Sequence, residues 1–392
     1  AGQDSTFSGA ITAGGNADEN GFGDFKYSVP AGFLALCSGN LPISDDIDPA
    51  QTSDDIAQKQ FNCVTYTGNT NTNAISNLNF QPDLVWVRSR NQARNSYMAD
   101  SSRGTNKTLS CTLNEEERTE ANLTSFDADG FTLSDNYNYR QNWNESGYTY
   151  VAWCWRCAGG TTASNTSGDI NSTTQTNTKS GFSIVTYTGN GSVAQSIGHG
   201  LSSGAPELIF VKNRTSNDDW AVYHHSLGNA AHLLLNTNAT QTTSSAYWGS
   251  FTPTTSLFKV GSDHKLNAHS EEYVAYLWHG VEGYSKFGSF EGNSNNDGPF
   301  IYTGFRPRML WIKEVDTADD WVVYDTARST SNPVQKVVRY ESSAAEFDDS
   351  GRAIDVLSNG FKIRTSNNTI NQSNTFVYGC FGDVSFKYNN TF

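Results

Sequence analysis

Apolar positions along the chain come in short bursts separated by polar, turn-forming stretches, and the bursts recur. FNCVTYTGN at residues 61–69 is matched by FSIVTYTGN at 182–190, and FEGN at 290–293 stands in the same place a third time. After each opening comes a polar stretch, then a proline and an apolar run: PDLVWVR from Pro82, PELIFVK from Pro206 and PRMLWIK from Pro307. One slot of that run is always aromatic (Trp86, Phe210, Trp311) and the last is always a cation. DDWAVYH at 218–224 matches DDWVVYD at 319–325, with NSYMAD ending at Asp100 as a degenerate first copy, and the copies close on YTYVAWCW, EEYVAYLW and NTFVYGCF. Repeats at this spacing announce tandem modules, each about a hundred residues, the size of a β-sandwich.

The runs are short and rich in Val, Ile, Tyr, Phe and Trp. The dipeptides Asn190-Gly191, Asp129-Gly130 and Asn359-Gly360 are predicted hairpin turns. The expected fold is therefore all-β: tandem β-sandwich modules at 57–158, 181–284 and 285–392. Trp86, Phe210 and Trp311 lie in runs that are apolar on both faces and are assigned to the core. Residues 159–180 carry no aromatic, so a flexible or extended Ser/Thr/Asn/Gly linker is expected there. The second and third modules have no such spacer and are expected to pack as one rigid body. Helix is confined to short pieces near 54–60 and 113–121. Residues 1–45 are too few for a core of their own, yet GDFKYSVPAGFLALC alternates like the closing strands of a sandwich.

Charge and composition remove several function classes. A net charge of −14, with 26 Lys and Arg spread along the chain, argues against a nucleic-acid partner. No run approaches the roughly 18 apolar residues of a membrane span, so membrane insertion is not expected. The start AGQDSTFSG has no signal-peptide pattern and no Met, which reads as a processed or truncated beginning.

Candidate chemistry is sparse. Cys154 and Cys157 form a lone CxxC and read as packed strand cysteines. Residues 200–204 satisfy GxSxG around Ser202, with His199 beside them, but a proline and a strand follow where a nucleophile elbow needs a helix. All seven histidines fall in the second module, yet His224 and His225 should point to opposite faces of a strand, so no metal site is assigned. Asp218-Asp219 and Asp319-Asp320, and Asp127 and Asp129, read as turn formers. No catalytic residue and no cofactor is expected. The ligand-binding candidates are Trp220, Tyr223, Trp321 and Tyr324, which follow polar turns and offer ring faces for stacking on a sugar or a protein.

NADENGFGDFKYSVPAGFLALCSGNLP resembles the last strands of the lectin-like (SPRY or concanavalin-like) domains of marine phage structural proteins, which makes residues 1–56 the end of such a domain plus a linker. FSIVTYTGNG, DDWAVYHHSLG, VEGYSKFGSF, GPFIYTGFRPRML, LSNGFKIRT and FGDVSFKYNN are similar to a domain of unassigned function that recurs beside them in phage tail proteins, over roughly 60–392. The resemblance implies a non-enzymatic virion structural protein, a tail fibre or receptor-binding adhesin presenting a surface for host glycan or protein. Its expected setting is the virion surface or the extracellular space, as a homo-oligomer (trimer favoured) among other virion proteins. The rival readings are a secreted self-assembling filament subunit or adhesin, and a polysaccharide depolymerase with Asp218, Asp219, Asp319 and Asp320 in reach.

Overall fold

A computed structural model describes residues 14–37, 40, 57–134 and 143–382. The chain is nearly all β. Among the described residues its α-helices are single turns, Ser245–Trp248, His264–Asn267 and Asn368–Asn371. Every strand pairing between named strands is antiparallel.

One strand order serves all three modules. In the first, the opening strand Phe61–Thr67 pairs with the closing strand Thr149–Trp155, which pairs with the proline-led strand Leu84–Ser89; Tyr97–Asp100, Lys107–Ser110 and Arg118–Thr119 follow outward. The third repeats this with Ser285–Glu291, Thr375–Gly382, Pro307–Glu314, Trp321–Asp325, Lys336–Arg339 and Phe347–Asp348. The second does so with Phe182–Thr188, Glu272–Trp278, Leu208–Asn213, Ala221–His224, Ala231–Leu234 and Thr242–Thr243. A smaller sheet stacks on one face of each: Asn73–Ile75 with Gly130–Leu133 and Leu123–Asp127 in the first, Gln195–Gly198 with Leu257–Val260 in the second, and Phe300–Tyr302 with Gly360–Ile363 and Ile354–Leu357 in the third.

Period-two alternation sends the two faces of each large sheet to different cores. In the first module Val85, Val87, Tyr150, Ala152 and Cys154 face the module's own core, while Leu84, Trp86, Val151, Trp153 and Trp155 face a second one. That second core is common property: Phe182, Phe210, Trp220 and Trp278 of the second module and Trp311, Trp321, Val377 and Phe381 of the third belong to the same cluster. Both faces of the proline-led strands are therefore buried, which is why they read as unbroken apolar runs.

The modules close into a ring with approximate threefold repetition. The Glu117 N–H donates to Arg214 O (2.9 Å), the Gln241 N–H to Val315 O (3.1 Å) and the Glu346 N–H to Arg90 O (2.7 Å), joining first to second, second to third and third back to first. The cation ending each proline-led strand repeats the circuit: Lys212 Nζ reaches Asn114 O (3.4 Å), Lys313 Nζ reaches Asn238 O (3.4 Å), and Arg88 bonds Ala344 O.

Several expectations need correction. Of residues 159–180, expected as a flexible or extended linker, 163–165 and 172–177 are extended and paired as strands, the second along Phe182–Thr188, because Ser and Thr suit the margin of a sheet as well as a tether. The second and third modules are no more closely joined than either is to the first, since all three share the axial core. Among described residues 14–37, only an isolated bridge between Asn16 and Phe25 forms in place of closing strands, and Tyr27, Phe33 and Leu36 are exposed. Asn190-Gly191 carries the chain from the large to the small sheet, whereas 127–130 and 357–360 are hairpins as expected. Of the helical pieces, Ala57–Lys59 is one 3-10 turn; 113–121 holds the strand Arg118–Thr119, and Glu117 is committed there to Arg103 and Arg214. Of the expected lectin-like end and linker at 1–56, residues 1–13, 38–39 and 41–56 lie outside the described residues, as do residues 383–392 of the third module.

Candidate functional site

The four aromatic candidates are all buried. Trp220 and Trp321 are 0% exposed, Tyr324 1% and Tyr223 2%, so none offers a ring face to a ligand. Their strands are interior ones, flanked on both sides, and the polar doublets before them end at the module junctions. The Trp220 Nε1–H donates to Ser110 O (2.7 Å) of the first module, and the Trp321 Nε1–H to Leu234 O and Thr237 O (both 3.1 Å) of the second. Tyr223 packs edge-on to Trp248 inside its own module, and the Tyr324 hydroxyl donates to Arg352 O (2.6 Å). At the slot of Trp220 and Trp321 the first module has Ser96. The facing residue in the third module is correspondingly large, Tyr340, which stacks on Trp86 with ring centres 4.2 Å apart.

The acidic doublets are engaged locally. Asp218 accepts from Asn213 (2.7 Å) and meets His264 (2.6 Å), Asp219 accepts from Asn236 (2.8 Å), Asp319 accepts the Asp320 N–H (2.7 Å), and Asp320 pairs with Arg339 (3.0 Å). Burial, with Asp320 beside it, raises the Glu341 carboxyl well above the carboxylate range. Asp129 accepts the N–H groups of Asn77 and Asn79, which fixes its hairpin against the neighbouring loop.

His199 is buried away from Ser202 as a base: its Nδ1 accepts the Leu201 N–H (3.1 Å), so its Nε2–H donates to Thr254 O (3.0 Å), and burial lowers its pKa to about 4. The neighbouring serine has the contact instead. Ser203 Oγ lies 2.7 Å from His279 Nε2, and His279 Nδ1 lies 2.9 Å from Gly280 O. Sequence spacing gave no hint of this pair, 76 residues apart. A neutral carbonyl, not a carboxylate, stands behind the imidazole, so the pair lacks the partner that stabilises an imidazolium in a hydrolytic triad.

Cys154 and Cys157 are buried and unbonded to each other, and burial pushes both thiols well up, opposite to the shift a reactive pair needs. His224 and His225 do not point to opposite faces; their rings are 5.3 Å apart because the strand ends at His224 and a 3-10 turn begins. Among the described residues no group of three or more His, Cys, Asp or Glu is placed to hold a metal ion.

Two surface features among the described residues of the modules bear on binding. Phe300 and Tyr302 are 45% and 59% exposed and lie two residues apart on one strand, hence on one face of the third module's small sheet. Lys286 sits over the Tyr302 ring (5.2 Å), and Lys362, opposite Phe300 in the sheet, pairs with Asp297 (2.7 Å). The equivalent positions of the first module, Ala74 and Ser76, carry no ring. The second feature is a groove of about 680 Å³ between the first and third modules, lined by residues 62–67 and 73–77 and by Arg308, Thr326, Ala327 and Thr330.

Residues 57–384 match the model of a domain of unknown function (DUF7483), and the chain belongs to that family. The matched span takes in all three modules. No curated protein and no solved structure matches the chain.

Proposed function

We propose, since membership of that family assigns no activity, that the chain is a non-catalytic virion structural protein, a tail fibre or receptor-binding adhesin, whose closed ring of sandwiches is a rigid mount for a glycan-binding face. The exposed pair Phe300 and Tyr302 carries the reading. Adjacent rings on a flat sheet, bordered by a cation and an ion pair, suit the apolar face and hydroxyl rim of a sugar. The resemblance to phage tail proteins supplies the virion setting. Ring closure within one chain uses up the three junctions, so a homo-oligomer, with a trimer favoured, assembles through outer surfaces.

The test is retention of the protein on an array of bacterial surface glycans, compared with the Phe300→Ala/Tyr302→Ala variant. Loss of at least tenfold in retention at unchanged melting temperature supports the reading. Equal retention of both proteins, or none by either, removes it.

A further inference from the structure

One slot repeats in all three modules and is filled three ways. At Ser96, Trp220 and Trp321 the main-chain N–H donates to a side-chain oxygen: to Thr112 (2.9 Å), to Asn236 (2.9 Å) and to Glu341 (3.0 Å). In the second module the Asn236 amide then donates to Asp219 (2.8 Å). The Glu341 carboxyl is in the same contact with Asp320, the counterpart of Asp219, and a hydrogen bond between two carboxyls needs a shared proton. Asp320 is the ionised member, because Arg339 (3.0 Å) and Arg352 (3.8 Å) hold it. A protonated Glu341 thus does in the third module what an amide does in the second.

Glu341 also looks across the closure of the ring. Arg88 of the first module donates from Nη2 to Ala344 O, three residues beyond Glu341, while its buried Nε and Nη1 meet no acceptor and the buried Glu341 Oε1 meets no donor. Burial lowers Arg88 to about 10; Glu341 opposes that shift, Arg328 and Arg339 add to it, and the Cys111 thiol is a further titratable neighbour. Lys313 faces Glu341 as well, but its Nζ is engaged by Glu314 O (2.6 Å) and Asn238 O (3.4 Å). Of the three slots, only Glu341 can carry a charge, and of the three strand-end cations, only Arg88 is a guanidinium. The two belong to the same junction.

We propose that Glu341 is a proton-operated latch on the third-to-first junction: protonated, it donates to Asp320 inside its own module, and ionised, it turns to the free Nε and Nη1 donors of Arg88 in the first module. The carboxyl proton passes to solvent and the bond to Asp320 breaks as the pair with Arg88 forms. Burial, with Asp320 adjacent, holds the Glu341 carboxyl well above its ordinary 4.5, so the folded chain keeps a proton that the unfolded chain releases. The stability held in the Asp320 bond is complete below pH 4.5 and is lost as pH rises through the folded-state value, where the Arg88 pair takes over.

The test is isotope-edited NMR of the glutamate carboxyl carbons in the full chain, with Glu341→Gln to assign the signal. Glu341 should titrate at least about one unit above 4.5, and Arg88→Met should raise the midpoint by roughly one unit more, since the ionised form loses its cation. Exchange of the Arg88 Nε–H with solvent, corrected for hydroxide catalysis, should slow roughly tenfold or more as Glu341 ionises, and should show no such step in Glu341→Gln. A midpoint at the ordinary value overturns the proposal. So does a raised midpoint that Arg88→Met leaves in place, or that the Arg88 Nε–H does not register. Should Arg88→Met fail to fold, the exchange step in the wild-type chain decides alone.

Discussion

Two kinds of junction hold one ring together. Where the first module meets the second, Asp100 accepts from Arg103 Nε (2.5 Å) and from the Tyr276 hydroxyl (2.6 Å), Arg103 pairs with Glu117 (2.8 Å), and Glu117 takes both Nε and Nη2 of Arg214 (2.8 and 2.9 Å). The third-to-first junction repeats the knot with Asp325, Arg328, Glu346 and Arg90, and the Trp153 Nε1–H donates to Asp325 (3.0 Å) in place of Tyr276. At the second-to-third junction the same positions hold His224, Leu227 and Gln241. His224 there accepts the Ser226 N–H at Nδ1 and donates from Nε2 to Tyr378 O (3.2 Å). The backbone geometry is common to all three, so the charges are not what creates the ring. A buried ionic knot and a neutral imidazole satisfy the same set of main-chain contacts.

The largest effect should come from opening a charged knot on one side. Arg328→Leu leaves Asp325 buried without its cation and should cost about 3–5 kcal/mol, read from chemical denaturation. Trp321→Ala, which empties the axial core beside Leu234, should cost a similar 3–5 kcal/mol. A smaller effect is expected when the first knot is rewritten in the chemistry of the neutral junction. Asp100→His, Arg103→Leu and Glu117→Gln together should destabilise less than Arg103→Leu alone, because Arg214 keeps Glu272 (3.2 Å) and no other charge of the knot remains buried. If the triple variant is the less stable, the ionic knots are needed for closure and the comparison fails.

Acid should separate the two kinds of junction. Burial, with His225 adjacent, lowers His224 from 6.5 to about 3, so the folded chain holds it neutral. The unfolded chain binds more protons below pH 6.5, and the stability of the neutral junction, complete above that value, is lost as pH falls toward about 3. Burial opposes ionisation of Glu117, but Arg214 and Arg103 outweigh it and lower its pKa from 4.5 to about 2. The charged junction's share is thus lost only between about 4.5 and about 2. Hydrogen exchange followed from pH 7 downward should show the second-to-third junction loosening first, and His224→Gln should remove that first step. At the alkaline end the sign is opposite. Burial lowers Lys212 and Lys313 from 10.5 to about 8, so stability should rise modestly from pH 8 to 10.5, and Lys313→Met should flatten half of that rise.

The strand repertoire was legible because each repeat carries its own apolar rhythm, and the Pro82, Pro206 and Pro307 runs read as doubly buried strands. The ring was not. Nothing in a single strand says whether its second buried face meets a private core or a shared one, and Trp220 and Trp321 were placed at a surface because the Asp doublets before them are polar. The common terminal cation (Arg88, Lys212, Lys313) was visible as a pattern, but a cation at a strand end ordinarily means solvent, and only the facing carbonyls of the next module explain its burial. The sequence of segment 170–177 allows a flexible or an extended linker, and its pairing is not legible for a similar reason: a strand that covers an edge needs little apolar surface of its own. Phe300 and Tyr302 could have been found by comparing the small-sheet strands, where one copy alone carries rings.

The third-to-first contact is the one that chain adjacency does not enforce, so it tests closure most directly. With Cys37 replaced by Ser, the pair Arg90→Cys and Glu346→Cys lies where the Glu346 N–H meets Arg90 O, a separation that a disulfide can bridge. Oxidised at high dilution, the variant should form an intramolecular disulfide in most molecules, seen as a faster, reductant-sensitive band on a denaturing gel and unchanged in yield as concentration is varied. Failure to form that species, or formation of disulfide-linked dimers alone, would contradict a ring closed within one chain.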